Sequence, residues 1–412
     1  MTRFFRPGND PSEDAASLSL APISLLTPTP AETAPTPSNT AEWETDLGLS
    51  DLLEALAFDR TYRRFVRGVL LALPTDPAVI RWRQAVLADL LANPVLTDAL
   101  AELLPQLASL TEDNAMLGKR SRSLIMETSD RLSELDMYSE LLGKLGGVLS
   151  SATVDSVALR TLRDEVTRVL ALPDYQRLRE EIPRLREPLR NIGSLTIGIN
   201  LDYNLKPTSA VLMAINKREL GEPPSLLDRL FGLDAPDASG NPVRGIAPVH
   251  HFPKGDMRKY HDLFQDVDKL MEQTAKPVAN ALRYYVRTNA HTLKQLEKEI
   301  AFFVAATRMI RTSAVSFAQP EVAPVDERVM IADGLHNIAL LLRNERKSVA
   351  SDVRFDNEGR VAVLTGPNSG GKTTFLRNVG LAQVMAQAGL FIPATRASFS
   401  PVDRVLTHFP RL

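Results

Sequence analysis

The residues of this sequence best suited to chemistry form a glycine-rich segment that ends in a lysine and threonines. It reads Gly366, Pro367, Asn368, Ser369, Gly370, Gly371, Lys372, Thr373 and then Thr374, and it satisfies the pattern G-x-x-x-x-G-K-[ST] in full. Glycines let successive backbone N–H groups converge on phosphate oxygens. Lys372 would place its charge on the β- and γ-phosphates of ATP, and the Thr373 hydroxyl would bind Mg²⁺. The segment therefore predicts a site for ATP and Mg²⁺.

The residues on either side predict the strand and the helix that such a loop connects. Residues 361–364 are an apolar run and predict a buried β-strand, and residues 374–388 predict a helix that Gly389 ends. One side of this helix is apolar and carries Leu376, Val379, Ala382 and Met385. The alternative interpretation is a glycine-rich turn with an incidental lysine, which would not require this order of strand, loop and helix.

The whole chain divides by composition into three parts. Residues 1–46 are rich in proline and threonine and predict a disordered tail. Residues 47–320 carry apolar positions at three- and four-residue spacing and predict a mainly α-helical region. Residues 321–412 contain short apolar runs that end in glycine and predict the N-terminal part of an α/β P-loop NTPase domain. The predicted fold is therefore multidomain, with a linker at residues 319–327.

A change of period marks an insertion in the helical region, near residues 194–256. Leu195, Ile197, Ile199 and Leu201 alternate with smaller or polar residues, and a second run, AVLMAIN, follows a turn-like stretch. These two runs predict a small β-hairpin. Residues 219–256 are rich in Gly, Pro and Asp and predict loops, and Pro277 is expected to kink or divide the helical section that follows.

Composition excludes several classes of site. The 412 residues are 44% hydrophobic and 24% charged, as in ordinary globular proteins, and the absence of cysteine excludes disulfides, thiolate metal sites and a cysteine nucleophile. Among the six histidines, His250 and His251 are adjacent, which favours a solvated loop pair over a metal site.

With neither a signal peptide nor about 20 consecutive apolar residues, we predict a cytoplasmic protein without a membrane segment. The net charge of −2 does not indicate a nucleic-acid partner.

Several stretches share the pattern of one known family. They are TGPNSGGKTTFLRNVGLAQVMAQAGLFIPA, the following SPVDRVLTHF, the preceding VMIADGLHNIALLL, and DPAVIRWRQAVLADLL near the N-terminus. Together they resemble the MutS family of DNA mismatch-repair ATPases, in which the loop reads TGPNMGGKST and a VPA turn follows its helix. SPVDRVLTHF is similar to the family's next strand, the helical region is similar to its core and lever domains, and the hairpin is similar to a clamp-like insertion.

The resemblance implies a function for the whole molecule. A MutS-like protein would bind DNA, use ATP as a conformational switch, and act in mismatch repair or recombination. Its phosphate contacts would come from residues 366–374, with Asn368 at the family's characteristic asparagine and Ser369 in place of a methionine. Its partners would be DNA and either a second copy of the chain or a polypeptide that completes the ATPase domain.

Three departures from the family limit this expectation. At the place of an adenine-stacking aromatic residue the sequence has Lys347 or Ser348, and the part before Leu47 is too short for a mismatch-reading domain. A strand with an acidic residue that holds Mg²⁺ and orients water does not follow Thr373, so the sequence assigns neither hydrolysis nor a catalytic residue to this chain. We expect either a truncated gene product or a separately encoded remainder.

Charged residues elsewhere are interpreted as helix surface. The acidic pairs Asp164–Glu165 and Asp326–Glu327 predict solvated charges. The same holds for two basic clusters, in which the arginines are interrupted by glutamates or lack neighbouring aromatic residues. These clusters are Lys119, Arg120 and Arg122, and Arg177, Arg179, Arg184, Arg186 and Arg190.

Two functions remain as alternatives. The chain could be an unrelated P-loop NTPase, although its long helical N-terminal section argues against this. It could also be a non-catalytic helical interaction protein with a vestigial P-loop. The substitution Lys372→Ala distinguishes a nucleotide-binding protein from one with a vestigial P-loop, since it changes nucleotide affinity only if the loop binds nucleotide.

Overall fold

A computed structural model describes most of the helical and α/β parts of the chain. The described residues are 20–29, 40–116, 124–173, 175–177, 179–180, 194–201, 203, 207–216, 292–343, 348–367 and 370–409. Outside them lie the predicted loops at 219–256, the adjacent histidines, Pro277, the basic cluster at 119–122, and Arg184, Arg186 and Arg190. Two compact units result: the first is Met1–Leu18, Met116–Ser139 and Leu172–Thr288, and the second is Ser19–Ala115, Glu140–Ala171 and Asn289–Leu412.

Helices dominate the second unit and confirm the predicted periodicity. They are α1 Thr40–Leu47, α2 Ser50–Leu56, α3 Arg63–Leu71, α4 Pro77–Ala92, α5 Pro94–Met116, the later part of α6 Leu124–Ser151, α7 Val157–Ala171, α8 at 292–312, α9 Ile338–Leu342 and α10 Lys372–Gln387. Fully buried leucines from seven positions contribute to their core, namely Leu49, Leu56, Leu70, Leu87, Leu142, Leu159 and Leu296.

Local signals explain the limits of α4. Asp76 is the N-cap and accepts a hydrogen bond from the Ala78 backbone N–H, and Pro77 occupies the first turn, where its missing N–H costs no helical bond. Asn93 then leaves the helical conformation. Inside the helix, the buried carboxylate of Asp89 accepts hydrogen bonds from backbone N–H groups just before α7, including Ser156 at 2.8 Å. A buried polar side chain thereby fixes α7 against α4.

The first unit contains the predicted hairpin. Strands β1 Ser194–Leu201 and β2 Pro207–Asn216 pair in antiparallel register from Ser194 opposite Asn216 to Leu201 opposite Pro207, with two register shifts between these ends. The alternation of apolar residues therefore predicted the strand period and the pairing correctly.

A four-stranded mixed sheet lies in the α/β part of the second unit. Its strands are β3 Glu321–Val322, β4 Met330–Leu335, β5 Ser351–Phe355 and β6 Arg396–Phe399, in the order β3-β6-β4-β5. β6 is parallel to β3 and antiparallel to β4, which is antiparallel to β5. The predicted linker at 319–327 thus contains a strand, because Val322 and Ala323 are buried where β3 pairs with β6.

Residues 20–29, which we call the strap, differ from the predicted disordered tail. Leu20, Ile23, Leu25 and Leu26 are all buried. The carboxylate of Glu299 in α8 accepts hydrogen bonds from the strap's Ser24 hydroxyl and Leu25 N–H, and Arg83 Nε donates to the Leu26 carbonyl at 2.9 Å. The prediction for 1–46 is therefore wrong at the strap. It is also wrong from Thr40, where α1 begins.

The predicted buried strand at 361–364 is also wrong. These residues have no regular secondary structure, and Val361 and Val363 are 88% and 86% exposed. A strand at the centre of a parallel sheet needs hydrogen-bonded neighbours and covered faces, and no described strand pairs with this run. The predicted strand at residues 400–409 is likewise absent; the chain there is irregular, and the strand precedes it as β6.

No described helix combines the length and the apolar character that crossing a membrane requires.

Candidate nucleotide-binding site

The glycine-rich loop leads directly into the N-terminus of α10. Gly366 and Gly371 have φ values of +150° and +82°, which residues with a side chain rarely adopt, and Gly371 is the N-cap of the helix. A Cβ atom on Gly370 would lie 3.0 Å from the Pro367 carbonyl oxygen, which itself accepts a hydrogen bond from Gly370 N–H at 3.1 Å. The backbone conformation therefore favours glycine at 366 and 371, and a side chain at 370 would crowd the Pro367 carbonyl. Asn368 and Ser369 lie outside the described residues.

Lys372 folds back over the loop. Its ammonium Nζ donates to the carbonyl oxygens of Gly366 and Pro367, both at 2.7 Å. The ammonium therefore lies on the loop backbone. There it can replace its hydrogen bonds to two neutral carbonyls by hydrogen bonds to phosphate oxygens. Charge-assisted hydrogen bonds to an anion are stronger than those to a neutral carbonyl.

The first turn of α10 offers free donors next to this charge. The first N–H groups of a helix have no partner inside the helix, and their dipoles favour an anion. Thr373 and Thr374 are exposed, and within the described part of the chain the Thr373 hydroxyl makes no hydrogen bond. The loop N–H groups and the lysine thus fit the hydrogen-bond donors that a phosphate chain requires, and the hydroxyl oxygen fits a ligand of Mg²⁺.

Helix α10 ends as predicted, but its apolar side is shifted. Gly389 has a φ of +82°, and the backbone N–H groups of Gly389 and Leu390 donate to the carbonyls of Ala386 and Met385, which closes the helix. Ala382 and Met385 are buried as predicted. Leu376 is 49% exposed, because the helix becomes buried only from Asn378 onward.

A side chain without any predicted role links α10 to the sheet. Asn337 follows β4 and is the N-cap of α9, with its Oδ1 accepting from Leu340 N–H at 3.1 Å. Its Nδ2 donates to the carbonyl oxygen of Thr374, also at 3.1 Å. An asparagine directly before the apolar run IALLL is a recognisable N-cap signal, but its bond to Thr374, 37 residues away, has no signal in the sequence.

The predicted position of base recognition lies beside this link. The Ser348 hydroxyl accepts a hydrogen bond from Asn337 N–H at 3.0 Å, and the Ser348 carbonyl is 3.2 Å from His336 Nδ1. Ser348 is therefore held by His336 and Asn337, the two residues between β4 and α9. Lys347 lies outside the described residues.

The end of α1 packs on α10. Arg377 Nε donates to the Asp46 carbonyl at 2.8 Å, and the Asp46 carboxylate accepts from the Thr407 hydroxyl at 2.7 Å. A Cβ on Gly380 would lie 2.5 Å from a methyl group of Leu47, so this glycine makes room for the leucine. The helix that carries the lysine is thereby held against the N-terminal helices.

The acidic pairs named above do not form a metal site. Asp164 and Glu165 pair with arginines of their own helix, and the hydrogen bond from Arg168 is the main cause that lowers the pKa of Glu165. Asp326 and Glu327 are exposed in a short 3₁₀ turn. Among the described residues no group of three or more potential metal ligands comes together. Asp164, Asp326 and Glu327 match their interpretation as solvated charges. Glu165 does not, because its side chain is 15% exposed and its carboxylate also accepts a hydrogen bond from the Ala21 N–H of the strap at 2.7 Å.

Comparison with known families gives two matches. Residues 75–314 match the MutS2 N-terminal domain, and residues 362–410 match MutS domain V, which contains the loop and α10. Residues 20–74, with the strap and α1 to α3, lie outside both.

Curated relatives of the chain are DNA mismatch repair proteins MutS. That of Thermotoga neapolitana is 24% identical over 303 residues, which cover 70% of this chain and 35% of the relative. Those of Prochlorococcus marinus (strain MIT 9312) and Chlorobium phaeobacteroides are 34% and 32% identical over 133 and 147 residues, which cover 31% and 35% of this chain and 15% of each relative. The chain therefore spans at most 35% of the length of these relatives. Because the match to the MutS2 N-terminal domain covers more than half of the chain, the protein belongs to the MutS family.

Proposed function

We propose that this protein binds ATP with Mg²⁺ at residues 366–374 and uses the nucleotide as a conformational switch in DNA mismatch repair or recombination. The observation that carries the proposal is the position of Lys372, whose ammonium lies on the loop backbone beside the free N-terminus of α10. Membership of the MutS family supports the repair role, since the relatives above are named as mismatch repair proteins.

The roles of the residues follow from their chemistry. The backbone N–H groups of the loop and of the first turn of α10 would bind the phosphate oxygens. The Lys372 ammonium would give up its hydrogen bonds to the Gly366 and Pro367 carbonyls and bind the β- and γ-phosphates instead. Thr373 would hold the metal through its free hydroxyl. Bound Mg²⁺ would neutralise charge on the phosphates. Hydrolysis would in addition need a carboxylate that holds Mg²⁺ and orients water, a role for which neither acidic pair named above is proposed.

The proposed partners are DNA and a second polypeptide. The proposal of DNA as a partner rests on family membership alone. For the second polypeptide, which is either another copy of this chain or a chain that completes the ATPase domain, the exposed apolar residues Val361 and Val363 give support, because a run of this type before a phosphate loop is ordinarily covered.

The first experiment measures the binding of a fluorescent ATP analogue with Mg²⁺ to the 412-residue chain. We expect micromolar affinity that falls at least about 100-fold in Lys372→Ala, because a charge-assisted contact to phosphate is lost and the loop carbonyls lose their donor. Lys294→Ala serves as the matched control, since Lys294 is an exposed lysine on α8. Its affinity should equal that of the wild type.

Two outcomes would contradict the proposal. Nucleotide binding that survives Lys372→Ala would place the nucleotide elsewhere on the chain. No binding by any of the three proteins would leave the helical region as the functional part, as in a non-catalytic interaction protein.

A further inference from the structure

Three polar groups of Asn337 bind three different segments. Its backbone N–H donates to the Ser348 hydroxyl, its Oδ1 caps α9 at Leu340, and its Nδ2 donates to the Thr374 carbonyl. The orientation of the carboxamide is fixed by its neighbours, because an N–H group faces the oxygen and a carbonyl faces the nitrogen. The residue is 6% exposed, so these bonds are largely shielded from water.

The first turn of α10 has little other support. No side chain from Gly371 to Arg377 is buried, and burial begins at Asn378. Packing therefore fixes the helix from its second turn onward and leaves its N-terminus to hydrogen bonds. The bond from Asn337 reaches Thr374, which follows directly after Lys372 and Thr373.

We propose that Asn337 is a positioning residue for the nucleotide: it acts through Thr374 to hold the donors of the first turn of α10 and the Thr373 hydroxyl where the phosphates and metal bind. The inference rests on the proposed function and deepens it. Neither the glycine-rich pattern nor the family match to residues 362–410 includes Asn337. It links the loop to the β4–α9 junction, and through Ser348 to the segment that enters β5.

Two substitutions separate this role from simple capping. Asn337→Asp keeps the acceptor that caps α9, since Asp and Asn are equally good N-cap residues, but an ionised carboxylate cannot donate to the Thr374 carbonyl. Asn337→Ser also keeps a capping acceptor and introduces no charge, but its hydroxyl is too short to serve both partners. Both variants therefore lose the bond to Thr374 while α9 keeps its cap.

The pH dependence of the aspartate variant gives a readout that capping does not affect. At about pH 8 the carboxyl of Asn337→Asp is ionised and lacks a donor. Lowering the pH to about 5 increases the share of the protonated form, which burial and the facing Thr374 carbonyl favour and which donates to Thr374 again, although the cap to Leu340 N–H favours the ionised form. We expect both variants to bind Mg-ATP about threefold to tenfold more weakly than the wild type at pH 8. Relative to the wild type at each pH, Asn337→Asp should recover at pH 5 and Asn337→Ser should not.

Hydrogen exchange in the absence of nucleotide provides the second measurement. Amides of residues 370–376 should exchange faster in both variants than in the wild type, while those of α7 should not change. Wild-type affinity and exchange in both variants would overturn the inference. Weak binding by Asn337→Asp alone, with normal binding by Asn337→Ser, would also overturn it, because repulsion between the carboxylate and the phosphates would then be the cause.

The same samples distinguish failure of the inference from failure of the proposed function. If the wild type binds nucleotide in a Lys372-dependent way and the Asn337 variants match it, the loop binds ATP without help from Asn337. If the wild type does not bind nucleotide, the proposed function fails and the inference fails with it.

Discussion

Gly389 ends α10 at a point where a side chain has neither the conformation nor the space it needs. Its φ is +82°, and an added Cβ would lie 2.2 Å from Cβ of Arg83 in α4. Since the clash is with the base of the arginine side chain, rotation of the side chain cannot relieve it. The close contact also lets the buried Arg83 guanidinium reach the Ala388 carbonyl at 3.4 Å.

We expect Gly389→Ala to lower the free energy of unfolding by about 2–4 kcal/mol, from strain of the positive φ and from overpacking. Gly147→Ala is the matched control, because Gly147 lies inside α6 and an added Cβ meets no atom within 4 Å. That change should be neutral or stabilising by up to about 1 kcal/mol. Urea unfolding followed by circular dichroism measures both, and equal effects of the two substitutions would contradict the account.

At the scale of single residues, the sequence predicted what depends on neighbours in the chain. The spacing of Lys372 from Gly366 and the stop at Gly389 are local, so the pattern indicated both. The bond from Asn337 to Thr374 and the space that Gly380 leaves for Leu47 join distant parts of the chain. Local propensity contains no information about either contact.

At the scale of elements, the strap is held by charges as well as by apolar packing. Burial raises the pKa of the Glu299 carboxyl, although its hydrogen bonds from Gln295, Leu25 and Ser24 act in the opposite direction. Burial lowers the pKa of Arg83 to about 10, still high enough to keep the guanidinium charged at neutral pH, while the charge of Glu299 raises it. The attraction between Glu299 and Arg83 therefore favours the charged form of each side chain, against the effect of burial.

Leu25→Ala should lower the free energy of unfolding by about 2–5 kcal/mol, because Leu25 is 1% exposed and its removal leaves a cavity. Leu406→Ala, the same chemical change at a residue that is 82% exposed, should change it by less than about 0.5 kcal/mol. Urea unfolding of the two variants compares them directly. If Leu25→Ala were as stable as the wild type, the strap would not contribute to the core.

The elements that were predicted correctly have strong periodicity, and those predicted wrongly do not. Helices α4 to α7 repeat apolar residues over many turns, whereas the strap has only a short apolar run among prolines and threonines. Composition therefore favoured disorder there, although a buried glutamate and a buried arginine supply hydrogen-bond partners for the strap's backbone. At 361–364 the apolar run predicted burial, but burial depends on neighbouring strands, which a local run does not specify.

At the scale of the whole molecule, the proposed switch requires that nucleotide and DNA affect each other. We expect Mg-ATP to change the affinity of the wild-type chain for labelled DNA by about 5-fold or more, and to leave that of Lys372→Ala unchanged. Fluorescence anisotropy with and without nucleotide measures this, and sedimentation of the same samples reports whether two copies associate. DNA affinity that is equal with and without nucleotide in both proteins would favour a helical interaction protein without a switch.

The packing of the strap and of α1 has a consequence for any shortened form of the protein. A fragment that begins at residue 75, where the match to the MutS2 N-terminal domain begins, would keep every matched residue but lose part of the protein's interior. Glu299 would lose the hydrogen bonds from Ser24 and Leu25, and Arg83 would lose its bond to the Leu26 carbonyl. The space beside Gly380 would lose the Leu47 side chain that fills it. We expect such a fragment to be digested by proteases more readily than the full chain, because the loss of these buried contacts makes local unfolding easier.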